Sequence, residues 1–335
     1  LAFKSVMKPT PPHRILLTGA SGTLGRNLLE LLGNNPDYTI LVLLRKESRP
    51  LLEWKSMMET RLDLLDQNAV TKVVHDFQPQ TIVHAAATGM EFPKTEWFDL
   101  IRFNVDFTVN LCESAACNPE AHFIYISTGL CYRPLPRSLR EDDALDTLHP
   151  YGASKAAADL LIRSAAVEFG LPLTVLRPFS FTGVGDDRSR LFPSILRAAQ
   201  TGMPLDLTDG RQVRDHISAR DVAEGIRMAM DKIPNVSHGP EIYNLGGGST
   251  MTVRAMIENV VGCLGIKVKL NFGSKPPSLH DPRYLVADFA KATHSLGWQP
   301  RHDLTCAVWE LARDSFPDLN LSKPSDLPYL NERRA

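Results

Sequence analysis

Five short apolar runs in the first half of the chain are each followed by a stretch with helical spacing, and that alternation leaves few folds open. The runs are RILLT (14–18), YTILVLL (38–44), TIVHAAA (81–87), HFIYIS (122–127) and LPLTVLRP (171–178). They are apolar on both faces, so each needs cover on both sides of its sheet. The stretches between them, TLGRNLLELLG, NAVTKVVHDF, TEWFDLIRFNVDFTVNLCESAA and HPYGASKAAADLL, read as the covering helices. Strands that alternate with helices imply a parallel sheet in the α/β class. After about residue 180 the rhythm breaks. Loops lengthen, Pro and Gly become frequent, and short helices are expected over 190–201, 252–264 and 303–313. One late run, EIYNLGG (241–247), reads as a strand that returns to the sheet.

The first strand runs straight into three glycines, Gly19, Gly22 and Gly25, in RILLTGASGTLGRNLLELL. Glycine permits a tight turn and lets a pyrophosphate approach the backbone, and the N-terminus of the next helix faces the phosphate charge. The spacing is GxxGxxG rather than GxGxxG, but its place between strand and helix makes a dinucleotide site the expectation, with Ser21, Thr23 and Leu24 in the same turn. A site for NAD usually has an acid about 20 residues beyond the turn, on the ribose hydroxyls. Here Arg45 stands 20 residues after Gly25, with Lys46 beside it and Glu47 next. A guanidinium there suits a 2′-phosphate, so NADP(H) is favoured and NAD(H) stays open. The expected architecture is a doubly wound, Rossmann-type parallel sheet over 13–180, rejoined by 212–247. A smaller interleaved C-terminal α/β substrate lobe is expected from 181–211 and 248–325.

Charge and cysteine content narrow the partners. A net charge of −1 argues against nucleic acid or an anionic membrane. The five cysteines are odd in number and lack CxxC spacing, which reads as reduced thiols and a cytoplasmic setting. The opening LAFKSVMKPTPPHR has no apolar run long enough for a secretion signal, and TILVLL (39–44) is far too short to span a bilayer. No metal-ligand spacing or internal repeat stands out.

Tyr151 and Lys155, in HPYGASK, sit at i and i+4 and so share one helix face. A phenol beside an ammonium is a poor core and a good acid–base pair. With the signposts TGASGTLG, RLDLLD, IVHAAA, NVDFTVNLCESA, IYISTGLCY, YGASK, LRPFSFTG, RQVRDHISARDVAEGI, YNLGGG and VADFAKATHSLGW in this order, the sequence resembles the extended short-chain dehydrogenase/reductases. Within them it resembles the NAD-dependent epimerase/dehydratase family, which acts on nucleotide sugars. The likeness covers roughly residues 13 to 313. It implies Thr128, Tyr151 and Lys155 as the catalytic group. It also implies cofactor contacts at Asp63, Leu64, Ala85, Ala86, Ala87, Asn104, Ile126 and Pro178, with Tyr151 and Lys155 again. Substrate contacts follow at Thr128, Ser180, Arg214 and Arg283, the arginines as pyrophosphate clamps. Ser180 departs from the family, which usually offers Asn there. A homodimer is implied as well, through helices at about 150–169 and 96–117. Their apolar residues Ala156, Ala157, Leu160, Leu161, Phe103, Phe107, Leu111 and Ala115 exceed one sheet-facing stripe.

The chemistry follows from the residue types. Tyr has an ordinary pKa of about 10, and Lys⁺ together with a positive nicotinamide favours the phenolate. Tyr151 then exchanges a proton with a carbinol oxygen, and Thr128 hydrogen-bonds the same oxygen. Dehydratases of the family carry an acid pair directly after the Thr. This chain has Gly129 and Leu130, which cannot transfer protons, and Cys131 reads as a buried filler rather than an acid. The first expectation is therefore NADPH-dependent reduction of a 4-keto (deoxy)sugar on a nucleotide diphosphate. Alternatives are a 4-epimerase with tightly held NAD, a reductase of aromatic or polyketide ketones, and a non-enzymatic NADP(H)-binding regulator.

Overall fold

The computed structural model describes residues 11–48, 51–89, 95–118 and 121–324. The first ten residues, and with them most of the segment read for a secretion signal, lie outside that range.

The chain opens with β1 (His13–Thr18), α1 (Thr23–Leu32) and β2 (Tyr38–Leu44). Then come β3 (Met57–Arg61), α2 (Gln67–Phe77) and β4 (Thr81–His84). The stretch read as one helix over 95–116 is broken into α3 (Trp97–Ile101), a π-helical turn (Arg102–Asp106) and α4 (Phe107–Ala116). β5 (His122–Ile126), the 20-residue α5 (Pro150–Phe169) and β6 (Leu173–Pro178) complete the first half. Beyond them lie β7 (Ser180–Thr182), α6 (Leu191–Thr201), β8 (Leu205–Leu207), β9 (Val213–Ser218), α7 (Ala219–Met230) and β10 (Glu241–Leu245). The last elements are β11 (Thr250–Thr252), α8 (Val253–Leu264), β12 (Leu270–Phe272), β13 (Tyr284–Leu285), α9 (Ala290–Leu296) and α10 (Leu304–Ser315).

Seven strands make one sheet in the order β10-β6-β5-β4-β1-β2-β3, and every neighbouring pair is parallel. Alternate residues of each strand feed opposite cores, which is why the runs are apolar throughout. Ile15, Leu17 and Val42 pack with Leu28 of α1 and Ile226 of α7. Leu16, Leu41 and Ile82 pack on the other face with Val74 of α2, Leu111 of α4 and Ile162 of α5. The chain leaves β1 in one direction for β2 and β3 and returns to the other side at β4. That reversal opens a crevice at the C-terminal ends of β1 and β4, where such sheets bind ligands.

A second sheet centres on β9, which pairs with β7, β11 and β13. Together with α6, α8 and α10 it surrounds a separate core that includes Phe192, Ile257 and Leu311. The returning segment is thus divided: β9 joins the small sheet, while α7 packs on α1 and β10 extends the large sheet.

The surplus apolar surface differs from the sequence expectation. Phe107, Leu111, Ala115 and Ala156 are buried in the cores, because α4 and α5 turn those residues inward. What remains outside is Trp97 (59% exposed), Phe98 (66%) and Ile101 (50%) on α3, and Leu160 (50%), Leu161 (50%), Val167 (63%) and Phe169 (44%) on α5. Among the described residues no helix is long and apolar enough to cross a membrane.

Candidate active site

The turn after β1 is shaped by contacts that only glycine tolerates. Gly19 has φ +76°, and a Cβ there would lie 2.5 Å from the Ala85 carbonyl carbon and the Ala86 nitrogen. At Gly25 a Cβ would lie 2.4 Å from Ala20 Cα and the Gly19 oxygen, so the helix start is pressed on the turn. Gly22 is the N-cap of α1 and brings no side chain to cap the first-turn N–H groups. Thr18 ties β1 to β4, since its Oγ1 meets His84 Nδ1 at 2.7 Å and accepts the Ala86 N–H at 3.2 Å.

The same logic seats Tyr151 and Lys155. α5 begins with His149 as N-cap and Pro150 in its first turn. A Cβ at Gly152 would lie 2.2 Å from the Leu130 oxygen, so the start of α5 lies directly against the 129–131 turn that follows Thr128. Tyr151 and Thr128 are both 8% exposed, and both line one cavity of about 180 Å³. Thr128 Oγ1 accepts the Leu130 N–H at 3.2 Å. Lys155, one turn on and 1% exposed, lays its ammonium over the Tyr125 ring, 4.1 Å from the centroid. Its Nζ has no hydrogen-bond partner among the described residues.

Burial governs both groups. It draws Lys155 down from 10.5 to about 7 and pushes Tyr151 up from 10.0 to about 12. The sequence argument expected a phenol moved toward neutrality. In the chain alone, desolvation outweighs the charges that oppose it.

Of the cofactor residues read from the sequence, Gly19, Gly22, Thr23, Leu24, Ala85, Ala87, Ile126, Tyr151 and Pro178 line this cavity, as do Thr128 and Ser180. Others serve the site from behind or stand apart. Asn104 is fully buried, and its amide holds both the N–H and the carbonyl of Thr88, each at 2.8 Å, from within the π-helical turn. It therefore shapes the wall and does not line it. Ala86 spends its N–H on Thr18, and Ser21 offers its carbonyl to Arg26. Asp63 is exposed and accepts the Leu65 N–H, while Leu64 is packed in the core. Arg45 is exposed at the end of β2, 5.8 Å from the Phe103 ring.

A dinucleotide suits what is present. The glycine cradle would be filled by any Cβ, the first turn of α1 lacks a capping side chain, and the buried Lys155 Nζ, one helical turn from Tyr151, has no hydrogen-bond partner among the described residues.

A second cavity of about 350 Å³ adjoins the first and shares Ser180, Phe181 and Arg190 with it. Residues two apart on β9, Arg214 and His216, both line it, and Ser180 of β7 is the register partner of His216. Arg214 is 7% exposed and donates to Asp281 and to the Val213 carbonyl oxygen. His216 lies near Arg190 and Arg214, and burial with those charges brings it down to about 3, so it is a neutral imidazole. Arg283 is not brought to this cavity. It is exposed just before β13, and its carbonyl accepts the Val213 N–H at 2.8 Å.

Sequence reasoning missed Arg190, His216, Asp281 and Phe179. The ring of Phe179 occupies the space beside Gly129, where a Cβ would lie 2.8 Å from it. Cys131 is fully buried beside Tyr132 and Phe179, and burial raises its thiol to about 12.

The sequence profile of the NAD dependent epimerase/dehydratase family matches residues 15–246. The chain is 25% identical over 322 residues to a UDP-glucose 4-epimerase of Lactobacillus helveticus, covering 89% of this chain and 96% of that one. It is 26% identical to a dTDP-glucose 4,6-dehydratase of Haemophilus influenzae, covering 86% and 93%. The structure of MoeE5 in complex with UDP-glucuronic acid and NAD superposes with a TM-score of 0.78 at 26% identity, covering 91% of this chain and all of that one.

Proposed function

The chain belongs to the NAD-dependent epimerase/dehydratase family, and from that premise we propose that it is an oxidoreductase acting at C4 of a sugar on a nucleoside diphosphate. Its first assignment is NADPH-dependent reduction of a 4-keto sugar. The observation that carries the reading is the junction of the two cavities. Thr128 and Tyr151 line one and Arg214 the other, with Ser180, Phe181 and Arg190 common to both. A substrate with a reacting ring at one end and a pyrophosphate at the other fits that layout.

The nicotinamide supplies hydride transfer when it is bound. The rest is the work of this chain. Tyr151 passes a proton at its hydroxyl to or from the carbinol oxygen, Thr128 donates a hydrogen bond to that oxygen, and Lys155 supplies a buried donor for a ribose hydroxyl. Arg214 exchanges its Asp281 partner for a pyrophosphate oxygen, a match suited to its planar fork. Dehydration has no acid pair to use. Position 129 is closed by the Phe179 ring, and Leu130 is apolar. Arg45 and Lys46 at the end of β2 favour a 2′-phosphorylated cofactor and so the reductase. A 4-epimerase with retained NAD is the second reading, favoured by the named epimerase relative and by the NAD in the MoeE5 complex.

The test is calorimetry with UDP and dTDP. Wild type should bind at least one, and Arg214→Ala should weaken it about tenfold to hundredfold, the loss of a charge-assisted hydrogen bond worth ~1.5–3 kcal/mol. NADPH affinity should stay near wild type. No binding of either nucleotide by wild type would sink the nucleotide-sugar reading and favour an aromatic or polyketide ketone.

A further inference from the structure

Arg190 is the N-cap residue of α6 and stands where the two cavities meet. Its guanidinium is fixed on three sides. Nη1 donates to Asp186 Oδ1 at 3.0 Å, Nη2 donates to the Phe181 carbonyl oxygen at 2.8 Å, and the group lies 4.7 Å from the centroid of the Phe181 ring. Asp186 is itself buried, and it accepts hydrogen bonds from Thr182 and, at 2.9 Å, from Thr23. Thr23 is the first residue of α1, so the arginine is braced against the phosphate turn. An arginine held this firmly has little freedom to serve as a loose surface charge.

Arg190 reaches the cavity that Tyr151 lines, and Asp186 does not. The cation of the pair thus borders the cavity that holds the phenol, and the anion does not. Among the described residues lining that cavity, Arg190 is the one that carries a charge. The other titratable groups around Tyr151 are weaker claimants. His149, its ring 6.3 Å away, is kept toward neutrality by burial and by His280. Cys131 and Tyr125 are buried and stay protonated. Lys155 sets its ammonium over the Tyr125 ring, and burial leaves it only partly charged near neutral pH.

We propose that Arg190 is a positioning residue for proton transfer: its guanidinium, clamped by Asp186 and the Phe181 carbonyl, stabilises the phenolate of Tyr151 across the shared cavity. The opposing forces agree with this arrangement. Burial raises the phenol, and Arg190 is the cation that lowers it. The inference rests on reading Tyr151 as the proton-transfer residue and goes beyond the family's Tyr and Lys pair.

The test titrates Tyr151 directly and needs no substrate, so its failure is distinct from a failure to turn over any nucleotide sugar. Protein labelled at the tyrosine ζ-carbon is followed by NMR with NAD⁺ added, and Tyr151→Phe identifies the signal. Arg190→Gln should move the midpoint of Tyr151 up by about one pH unit. That is the low end for an opposite charge at ~4–6 Å, because Asp186 offsets part of the field. Asp186→Asn should move it down, since it unmasks the guanidinium, and this variant alone decides the matter should Arg190→Gln not fold. Arg190→Lys, which keeps the charge, should stay nearer to wild type than Arg190→Gln. Opposite shifts in the two variants support the proposal, because simple loosening of the 182–190 segment would move both the same way. Shifts of one sign, no shift in Arg190→Gln, or a wild-type Tyr151 that stays un-ionised until the protein unfolds would overturn it.

Discussion

Replacing Lys155 with Met should stabilise the cofactor-free protein while it destroys the enzyme. The side chain is 1% exposed, its Nζ has no hydrogen-bond partner among the described residues, and burial draws it from 10.5 to about 7. The sign follows from proton counting. Between pH 7 and 10.5 the unfolded chain holds a proton on Lys155 that the folded chain has released, so stability from this group rises with pH. Below pH 7 both states are protonated and the full penalty stands. A difference of 10.5 − 7 = 3.5 pH units corresponds to a penalty on the order of 5 kcal/mol at ~1.36 kcal/mol per unit. Met keeps much of the volume but loses the attraction to the Tyr125 ring, worth ~0.5–2 kcal/mol, while the attraction to Asp159 is already contained in the net shift. A net gain of about 3–4 kcal/mol at pH 6 remains, or several degrees in apparent Tm. The assay is thermal unfolding of cofactor-free wild type and Lys155→Met at pH 6, 7.5 and 9. The gain should be largest at pH 6 and should shrink toward pH 9. A variant less stable than wild type at pH 6, or a difference independent of pH, would refute the reasoning.

Tyr151→Phe should lower turnover by at least about a hundredfold and leave cofactor binding close to wild type, since only the proton carrier is lost. More than a tenth of wild-type activity would refute that role. Arg45→Asp should shift the ratio of kcat/KM for NADPH over NADH toward NADH, and an unchanged ratio would make Arg45 a mere solvated residue at the end of β2. The exposed Trp97, Phe98, Leu160 and Leu161 should cover one another across a two-fold axis. Sedimentation should give a dimer for wild type and a monomer for Leu161→Glu. A monomeric wild type at micromolar concentration would count against that contact.

The large sheet was legible because its strands are buried on both faces and so are written as continuous apolar runs. β3 was not. Among the described residues Met57–Arg61 pairs with β2 alone, none of its residues is fully buried, and the sequence MMETR carries no such run. The break between α3 and α4 was equally hidden, because RFNVD keeps helical residue types through the π-helical turn. That Tyr151 and Lys155 share one helix and that glycines shape the turn after β1 could be read because the spacing is local. Arg190 had no comparable signal. Its meaning depends on Asp186, Phe181 and Thr23, and the last of these lies more than 160 residues away. Arg283, read as a second pyrophosphate clamp, is exposed just before β13 and does not line the second cavity.

What holds Tyr151 and Lys155 in place lies one step further along the same helix face. Tyr151, Lys155 and Asp159 follow one another at i, i+4 and i+8. Asp159 is fully buried and is gripped by Arg177 of β6, Nε to Oδ2 at 3.0 Å and Nη2 to Oδ1 at 3.1 Å. Arg177 also donates to the Tyr132 hydroxyl at 2.7 Å, and that hydroxyl donates to Asn244 of β10, again at 2.7 Å. A buried ion pair of this kind gains little net stability over well-packed apolar residues. What it does supply is a fixed rotation of α5. A fork of two hydrogen bonds tolerates little turning of the helix, whereas the Ala-rich face of α5 would pack almost as well a few degrees away. The network therefore sets the direction in which Tyr151 meets Thr128. Arg177→Met should accordingly harm turnover through misalignment as well as through the unpaired Asp159.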